Sequence, residues 1–413
     1  MKAVILAAGL GKRMGGIPKP LLKVGGLEII LRTMKLLQPY VDEFIIVASV
    51  HFNKIDRFLE KCNFNYKIIC NKYPERGNGY SLLLASEFVN GKFVVVMGDH
   101  VYSREFINEA IKKVGLIGDK NPKFVDIQEA TKVKVREGKV ADIGKELEIY
   151  DCVDTGFFVM DSNIFSKLNG LSELEFISIS DIAKYLQIPV SYVNGKFWLD
   201  IDTKDDLKRG NLLLIKNSVK TVGDGFISRI LNRKISTRIS ALTANWANPS
   251  HFTFLSFFVG IFASTLLFLD IRIAAIFYQI SSIIDGCDGE IARAKMLESK
   301  FGGYLDSILD RFVDFTFLAF LTILYPKYLT LALFAIFGSL MVSYSTEKYK
   351  AEYFRSAYED IIGLRYLPGK RDERIFLIMI LCLVGTIKLL FLLLSIVCIG
   401  RVIITLFLVY KKY

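Results

Sequence analysis

The chain has 413 residues, 52% of them hydrophobic, and a formal charge of +11 at pH 7; its mean hydropathy is nevertheless +0.37. A basic, charged chain reaches a positive mean only when its apolar residues are segregated, and from Phe252 onward runs such as Phe252–Leu269 and Leu389–Ile399 carry hardly a charge. A membrane span needs about 20 predominantly apolar residues, so a purely cytosolic protein is excluded.

In chain order, residues 1–210 read as alternating strands and helices. Val4–Ala8, Glu43–Ser49, Tyr66–Cys70 and Phe93–Met97 are short β-branched or aromatic runs, with helical periodicity over Leu27–Leu37, Lys54–Lys61 and Ser81–Val89. Such alternation predicts an α/β domain with a mostly parallel sheet, whose binding sites lie at the carboxyl ends of strands. The opening MKAVILAAG is too short an apolar run for a signal peptide and leads into Gly-Lys-Arg, so this domain is expected in the cytoplasm. Six cysteines with no CxxC pair fit reduced thiols there. Only four glutamines among abundant Lys, Glu and Ile lean toward a thermophile.

Residues 211–250 form a junction. Lys216, Lys220, Arg229, Arg233, Lys234 and Arg238 face the single acid Asp224, and Ile227, Ile230, Leu231, Ile235 and Ile239 recur at near-helical spacing. This predicts a basic amphipathic helix on an anionic membrane face rather than a nucleic-acid contact. Residues 251–413 then supply six candidate spans, at about 252–269, 271–294, 301–325, 328–344, 375–387 and 389–410, an all-α transmembrane domain. With the N-terminus inside, outer loops hold Arg272, Lys327 and Lys388. The junction, 293–300, 345–374 and Lys411–Lys412 stay inside, as the positive-inside rule asks. The expected location is the cell membrane, multi-pass, with the first domain and the C-terminus cytoplasmic.

After the first strand comes Leu6-Ala-Ala8-Gly9-Leu-Gly11-Lys-Arg13-Met-Gly, then Pro18-Lys19-Pro-Leu-Leu-Lys23-Val. Glycines bring backbone N–H groups against phosphate oxygens, and Arg13, Lys19 and Lys23 add positive charge for a triphosphate. The spacing is neither the dinucleotide fingerprint nor a P-loop. Together these segments closely resemble the nucleotidyltransferases that activate sugar or alcohol phosphates. The resemblance implies a Rossmann-like fold over 1–210, with Leu6, Ala8, Gly9, Gly11 and Arg13 around the nucleotide and Lys19 at its phosphates. It also implies one Mg²⁺ on Asp99, at the end of Val94-Val-Val-Met-Gly-Asp99, with a second carboxylate from Asp200 or Asp202. Mg²⁺ suits one or two carboxylates plus phosphate oxygens. Asn78 and Ser81 sit where related cytidylyltransferases recognise the pyrimidine. Thr131-Lys132-Val and Asp154-Thr-Gly156 resemble acceptor-side elements of the inositol-1-phosphate cytidylyltransferases, with Lys132 a candidate for the attacking phosphate.

The second span ends in Asp285-Gly-Cys-Asp288-Gly289-Glu-Ile-Ala-Arg293, followed by Gly302, Asp306 and Asp310. Unpaired charges at membrane depth cost about 2.5–3.5 kcal/mol each, roughly 10–14 kcal/mol for four. The spacing supplies a reason to carry them: Asp285 and Asp288 share one helical face, Asp306 and Asp310 another, and a short turn joins the helices. Four carboxylates can converge on a pair of divalent ions. The string D-x2-D-G-x2-A-R-x8-G-x3-D-x3-D resembles the CDP-alcohol phosphotransferase signature at every fixed position. That resemblance implies two Mg²⁺ or Mn²⁺ on Asp285, Asp288 and Asp306, and Asp310, last of the series, as general base. It also implies Gly289 and Arg293 beside the nucleotide. Lys348, Arg355, Lys370, Arg371 and Arg374 are candidates for a phosphorylated acceptor. Arg293 and Arg311 are the nearby cations, and Asp314 is expected to pair with Arg311 outside the site.

The first domain would make a CDP-alcohol and the second consume it, which favours a soluble donor. Over its full length the chain resembles the bifunctional inositol-1-phosphate cytidylyltransferase and di-myo-inositol-phosphate-phosphate synthase family of heat-loving archaea and bacteria. The resemblance implies CTP and inositol-1-phosphate as substrates, CDP-inositol as intermediate, a lipid bilayer as surroundings and a homodimer formed through the spans. Two rivals are an enzyme with another alcohol or a lipid acceptor, and a transporter with a nucleotide-sensing domain. The transporter predicts paired charges along several spans and an internal repeat, and the sequence has neither.

Overall fold

Near-continuous apolar runs such as Lys2-Ala-Val-Ile-Leu-Ala7 and Lys92-Phe-Val-Val-Val-Met97 suit strands buried on both faces. A computed structural model describes residues 1–168 and 174–413. The chain divides into two units, Met1–Leu214 and Ile215–Tyr413.

The first unit runs β1 (Lys2–Ala7), β2 (Lys23–Val24), β3 (Leu27–Glu28), α1 (Ile29–Leu37), β4 (Glu43–Ala48), α2 (Phe52–Leu59), β5 (Tyr66–Cys70), α3 (Gly77–Leu84), β6 (Lys92–Met97) and β7 (His100–Tyr102). It continues with α4 (Arg104–Ala110), β8 (Gly115–Asp119), β9 (Lys132–Arg136), β10 (Lys139–Gly144), β11 (Cys152–Asp161), α5 (Ile179–Tyr185), β12 (Val190–Tyr192), β13 (Trp198–Asp200) and α6 (Lys204–Asn217). A nine-stranded sheet is ordered β10-β9-β11-β6-β1-β4-β5, with β8 and β12 attached through β11. Strands β6, β1, β4 and β5 are mutually parallel, and β11 closes onto β6 antiparallel. Because Leu6 pairs with Met97 in parallel register, the loops after β1 and β6 emerge side by side. That is the edge where such sheets bind ligands.

All three expected helices of this unit shift at their boundaries, Lys54–Lys61 becoming Phe52–Leu59. Leu27–Glu28 leaves the expected helix to pair with Lys23–Val24, because Gly25-Gly26 makes a two-residue hairpin turn. The third helix starts at Gly77, earlier than Ser81, and ends at Leu84, with a 3₁₀ turn over Ser86–Phe88.

The second unit starts with a π-helical turn, Ser228–Asn232, that runs into α7 (Arg233–Thr243). Trp246, just beyond, is 71% exposed. Then come α8 (Pro249–Leu266), α9 (Ile271–Ala294), α10 (Lys300–Leu324), α11 (Leu329–Tyr353), the single turn α12 (Ala357–Asp360), α13 (Arg371–Val384) and α14 (Ile387–Lys412). Asn248 and His251 form a capping box with Pro249 at the first helical position, a strong start signal. Among the described residues, three helices are long and apolar enough to cross a membrane: Pro249–Leu266, Pro326–Tyr353 and Ile387–Lys412. Six were expected. Helices α9 and α10 carry the acids that interrupt their apolar runs, and α13 has only 14 residues.

Candidate active sites

In the first unit the loop after β1 turns at Gly11. Its φ is 61°, and a Cβ there would lie 2.4 Å from the carbonyl oxygen of Ile17, so glycine alone is accommodated. Leu6, Ala8 and Gly9 line a cavity of 180 Å³ together with Lys19, Asn78, Ser81 and Asp99. Lys19 Nζ donates to Asp99 Oδ2 at 3.0 Å and to Asp202 Oδ1 at 2.5 Å. Arg13 reaches Asp202 at 3.2 Å. Burial alone would lower the Lys19 value, but the Asp99 and Asp202 carboxylates outweigh it and the ammonium is held above its ordinary range.

A second cavity of 230 Å³ shares Asn78, Met97 and Asp99 with the first and adds His100, Thr131, Lys145, Asp154, Trp198, Asp200 and Asp202. His100 Nδ1 lies 3.0 Å from Asp99 Oδ1. Against burial, which would raise it, His100 and then Lys19 hold the Asp99 carboxyl well below the usual carboxylate range. For His100 burial acts downward, and Asp99, with Asp200 and Asp154 behind it, pulls the imidazole above its ordinary value. The His100 ring stacks parallel on Trp198, whose Nε1 donates to the fully buried Asp119 at 3.0 Å. Gly156, at φ 66°, leaves room for the imidazole: a Cβ there would be 2.7 Å from Nε2. Burial pushes the Asp154 carboxyl up to about 6, although the Gly156 N–H donates to it.

In the second unit Asp285, Asp288 and Asp306 each offer a carboxylate oxygen, all within 4.8 Å of one another. Thr253 of α8 donates to Asp288 Oδ2 at 2.7 Å. Three convergent carboxylates, with no nitrogen or sulfur donor, fit a hard divalent cation such as Mg²⁺ or Mn²⁺. Asp99 and Asp202, close enough to share one ammonium, fit a site completed by phosphate oxygens.

Asp310 stands apart from the trio. Its Oδ1 is 2.8 Å from Arg371 Nη1, which also reaches Asp285 at 3.1 Å. Asp314 pairs with Arg311 at 3.6 Å, as its spacing suggested, and also with Arg371 at 3.2 Å and Arg374 at 3.6 Å. Asp285, Asp310, Arg311, Arg371 and Arg374 border a cavity of 590 Å³ that also takes in Ser228, Asn232, Ser282 and Lys370, with Asp314 behind Arg371.

The structure brings together most of the sequence-predicted residues and turns several away. Lys23 faces Glu28 at 3.6 Å, outside either cavity of the first unit. Asp200 lines the second cavity, whereas Asp202 is the acid joined to Asp99 through Lys19. Lys132 donates to the Lys145 carbonyl at 2.8 Å, and Thr131 and Lys145 line the cavity in its place. Asn78 accepts from the Ile179 N–H at 2.8 Å, and Ser81 from Asn71 at 3.0 Å. Arg293 stands beside Gly289, within 3.0 Å of where a Cβ would sit, and donates to the Ser218 carbonyl. Arg355 lies 3.9 Å from Asp360, and Lys348 pairs with Glu352, both on exposed surface. Lys370 donates to the Asp224 carbonyl at 2.8 Å, and Arg374 is 3% exposed. Of the two cations expected near the membrane-domain acids, Arg311 is in contact and Arg293 is not. Arg371, from 61 positions beyond Asp310 in the chain, fills that role. Sequence reasoning gave no role to His100, Trp198, Lys145 or Thr253. The one signal for His100 was its place next to Asp99 in a chain with three histidines.

Residues 3–120 match the family described as MobA-like NTP transferase domain, and residues 246–407 match CDP-alcohol phosphatidyltransferase. The chain is similar to the bifunctional IPC transferase and DIPP synthase of Archaeoglobus fulgidus, with 57% identity over 411 residues, 98% of this chain and 84% of the relative. The protein of the same name from Thermococcus kodakarensis is 48% identical over 422 residues, 100% of this chain and 98% of the relative. Among solved structures, the inositol-1-phosphate CTP transferase from T. maritima aligns at 28% identity and a TM-score of 0.46. That alignment covers 50% of this chain and 90% of the other.

Proposed function

Because this chain belongs to the family of bifunctional IPC transferases and DIPP synthases, we propose that it joins two inositol-1-phosphate molecules in two steps. It is a nucleotidyltransferase and a CDP-alcohol phosphotransferase in one chain. In the first step a phosphate oxygen of inositol-1-phosphate attacks the α-phosphorus of CTP. The bond to the β-phosphate breaks, leaving CDP-inositol and pyrophosphate. In the second step a hydroxyl of another inositol-1-phosphate attacks the inositol-bearing phosphorus of CDP-inositol. CMP leaves, and the product is a phosphodiester that keeps one phosphate monoester.

Little covalent work falls to the protein; positioning and charge neutralisation dominate. In the first domain the backbone from Leu6 to Arg13 cradles the triphosphate, and Asn78 and Ser81 flank the base. Lys19 brings its ammonium to the phosphates, and Lys145, Thr131 and Asp154 face the incoming inositol phosphate. Asp99 and Asp202 would hold one Mg²⁺. In the membrane domain Asp285, Asp288 and Asp306 would hold two Mg²⁺ or Mn²⁺. When bound, these ions neutralise the phosphate and leaving-group charge. Asp310 takes the proton of the attacking hydroxyl. Lys370, Arg371 and Arg374 surround the acceptor phosphate, and Gly289 and Arg293 border the cytidine nucleotide. The meeting of Asp285, Asp288 and Asp306 within 4.8 Å is the observation that carries this reading.

Helices α8, α9, α10, α11, α13 and α14 are proposed as six spans, with the basic loops and the first domain in the cytoplasm. Phe301, Ile308, Phe312 and Phe315 of α10 are exposed, which supports an apolar face for lipid or for the second copy of a homodimer. The test of the activity is incubation of the purified protein with labelled CTP, Mg²⁺ and a panel of alcohol phosphates. Inositol-1-phosphate is expected to give CDP-inositol and then CMP. Pyrophosphate release that does not depend on inositol-1-phosphate would overturn the assignment.

A further inference from the structure

Asp314 is 4% exposed, one helical turn beyond Asp310 on α10. It accepts from the Tyr278 hydroxyl at 2.8 Å, and Arg371 Nε lies 3.2 Å from its Oδ1 and 3.4 Å from its Oδ2. Tyr278 is itself fixed by stacking on Phe317, with ring centroids 4.2 Å apart and 14° between planes. Nη1 of the same Arg371 guanidinium reaches Asp310 and Asp285. A planar guanidinium held at Nε cannot turn about its long axis without breaking that contact. The carboxylate at Nε therefore dictates what Nη1 can reach.

We propose that Asp314 is a positioning residue for the second reaction: it orients Arg371, and thereby the contact between Arg371, Asp310 and the acceptor phosphate. This rests on the reading of the 590 Å³ cavity as the acceptor site. Neutralisation of buried charge alone does not account for the arrangement. Arg374 Nη2 and Arg311 Nε have no hydrogen-bond partner among the described residues. Arg374 and Arg311 each sit 3.6 Å from Asp314. The directed hydrogen bonds to Asp314 come from Tyr278 and Arg371.

The test supplies CDP-inositol and inositol-1-phosphate separately to the full-length protein and measures KM for each. Asp314→Asn keeps the shape and removes the charge. It is expected to raise KM for inositol-1-phosphate by about tenfold, the scale of one charge-assisted hydrogen bond, while KM for CDP-inositol stays within about twofold. Tyr278→Phe leaves every charge in place and shifts the same KM in the same direction, less far, so it decides the matter should Asp314→Asn not fold. Combined with Arg371→Lys, Asp314→Asn adds nothing further, because both act through one guanidinium. A lower Tm with an unchanged acceptor KM in both Asp314→Asn and Tyr278→Phe overturns the proposal, as does additivity with Arg371→Lys. Arg371→Lys with an unchanged acceptor KM overturns the acceptor-site reading itself. A raised KM there and none in Asp314→Asn sinks only the positioning role.

Discussion

Asp99 meets the His100 imidazole with one oxygen and the Lys19 ammonium with the other. An imidazole whose folded pKa is raised contributes stability in full below the free value of about 6.5. That contribution is lost as pH rises through the raised folded value. In Asp99→Asn the pull of that carboxylate disappears while burial, and the weaker pull of Asp200 and Asp154, remain, so the His100 titration should move down. Proton NMR of the three histidines, without divalent metal, reads this directly; an unmoved His100 titration in Asp99→Asn would refute the pairing. Lys19→Ala should reduce CDP-inositol formation by about a hundredfold or more, while supplied CDP-inositol is still consumed. Asp310→Asn should do the reverse, lowering CMP release by about 10²–10⁴; normal release would remove Asp310 as base. The meeting of Asp285, Asp288 and Asp306 was legible because spacing along a helix fixes which side chains share a face, whereas Asp99 was singled out by the family resemblance. Arg371, Lys145 and Asp154 were not placed by spacing. They reach their sites from chain segments far off in sequence, and only the fold determines which of several neighbouring cations arrives.

Helix α7 is fixed to α9 by a buried acid. Glu290 accepts from Arg233 at 2.9 Å, Ser236 at 2.6 Å and Ser240 at 2.7 Å, and it has no exposed surface. The basic junction thus has a dry face as well as the charged one read from its sequence, and the 590 Å³ cavity lies beside it, bordered by Arg233 and Asn232. Removing one partner of a buried ion pair costs about 3–5 kcal/mol. Glu290→Ala is therefore expected to lower the thermal midpoint of the membrane domain, measured in detergent, and a midpoint unchanged within error would contradict the account. At this scale the four strands named from the sequence were read to within a residue or two, since apolar runs leave little freedom, and the other nine were not named. The Gly25-Gly26 hairpin escaped notice because its flanking strands have two residues each. Spans were harder to count, because the same acids that mark the site lower the apolarity of the helices that bear them.

At the level of the whole chain, two reactions in series need only share a diffusible intermediate. A mixture of the Lys19→Ala and Asp310→Asn proteins, each unable to complete the sequence, is expected to form the phosphodiester after a lag. The lag should shorten as protein concentration rises, and a mixture that makes CDP-inositol but no product would require both sites in one molecule. The three apolar helices predict that the protein stays with the membrane fraction through an alkaline wash. The division into two units was legible in the sequence, since segregation of apolar residues is a property of order along the chain and not of composition alone.

The tryptophans add an optical consequence. The chain has two, Trp198 buried in the first unit against His100 and Trp246 exposed in the second. Each half therefore carries its own fluorophore. Emission from Trp198 should dim as the stacked imidazole takes up a proton, while that from Trp246 should shift to shorter wavelength when lipid replaces water around it. One unlabelled sample would then report, at two wavelengths, protonation of the imidazole in one half and the bilayer's arrival at the other.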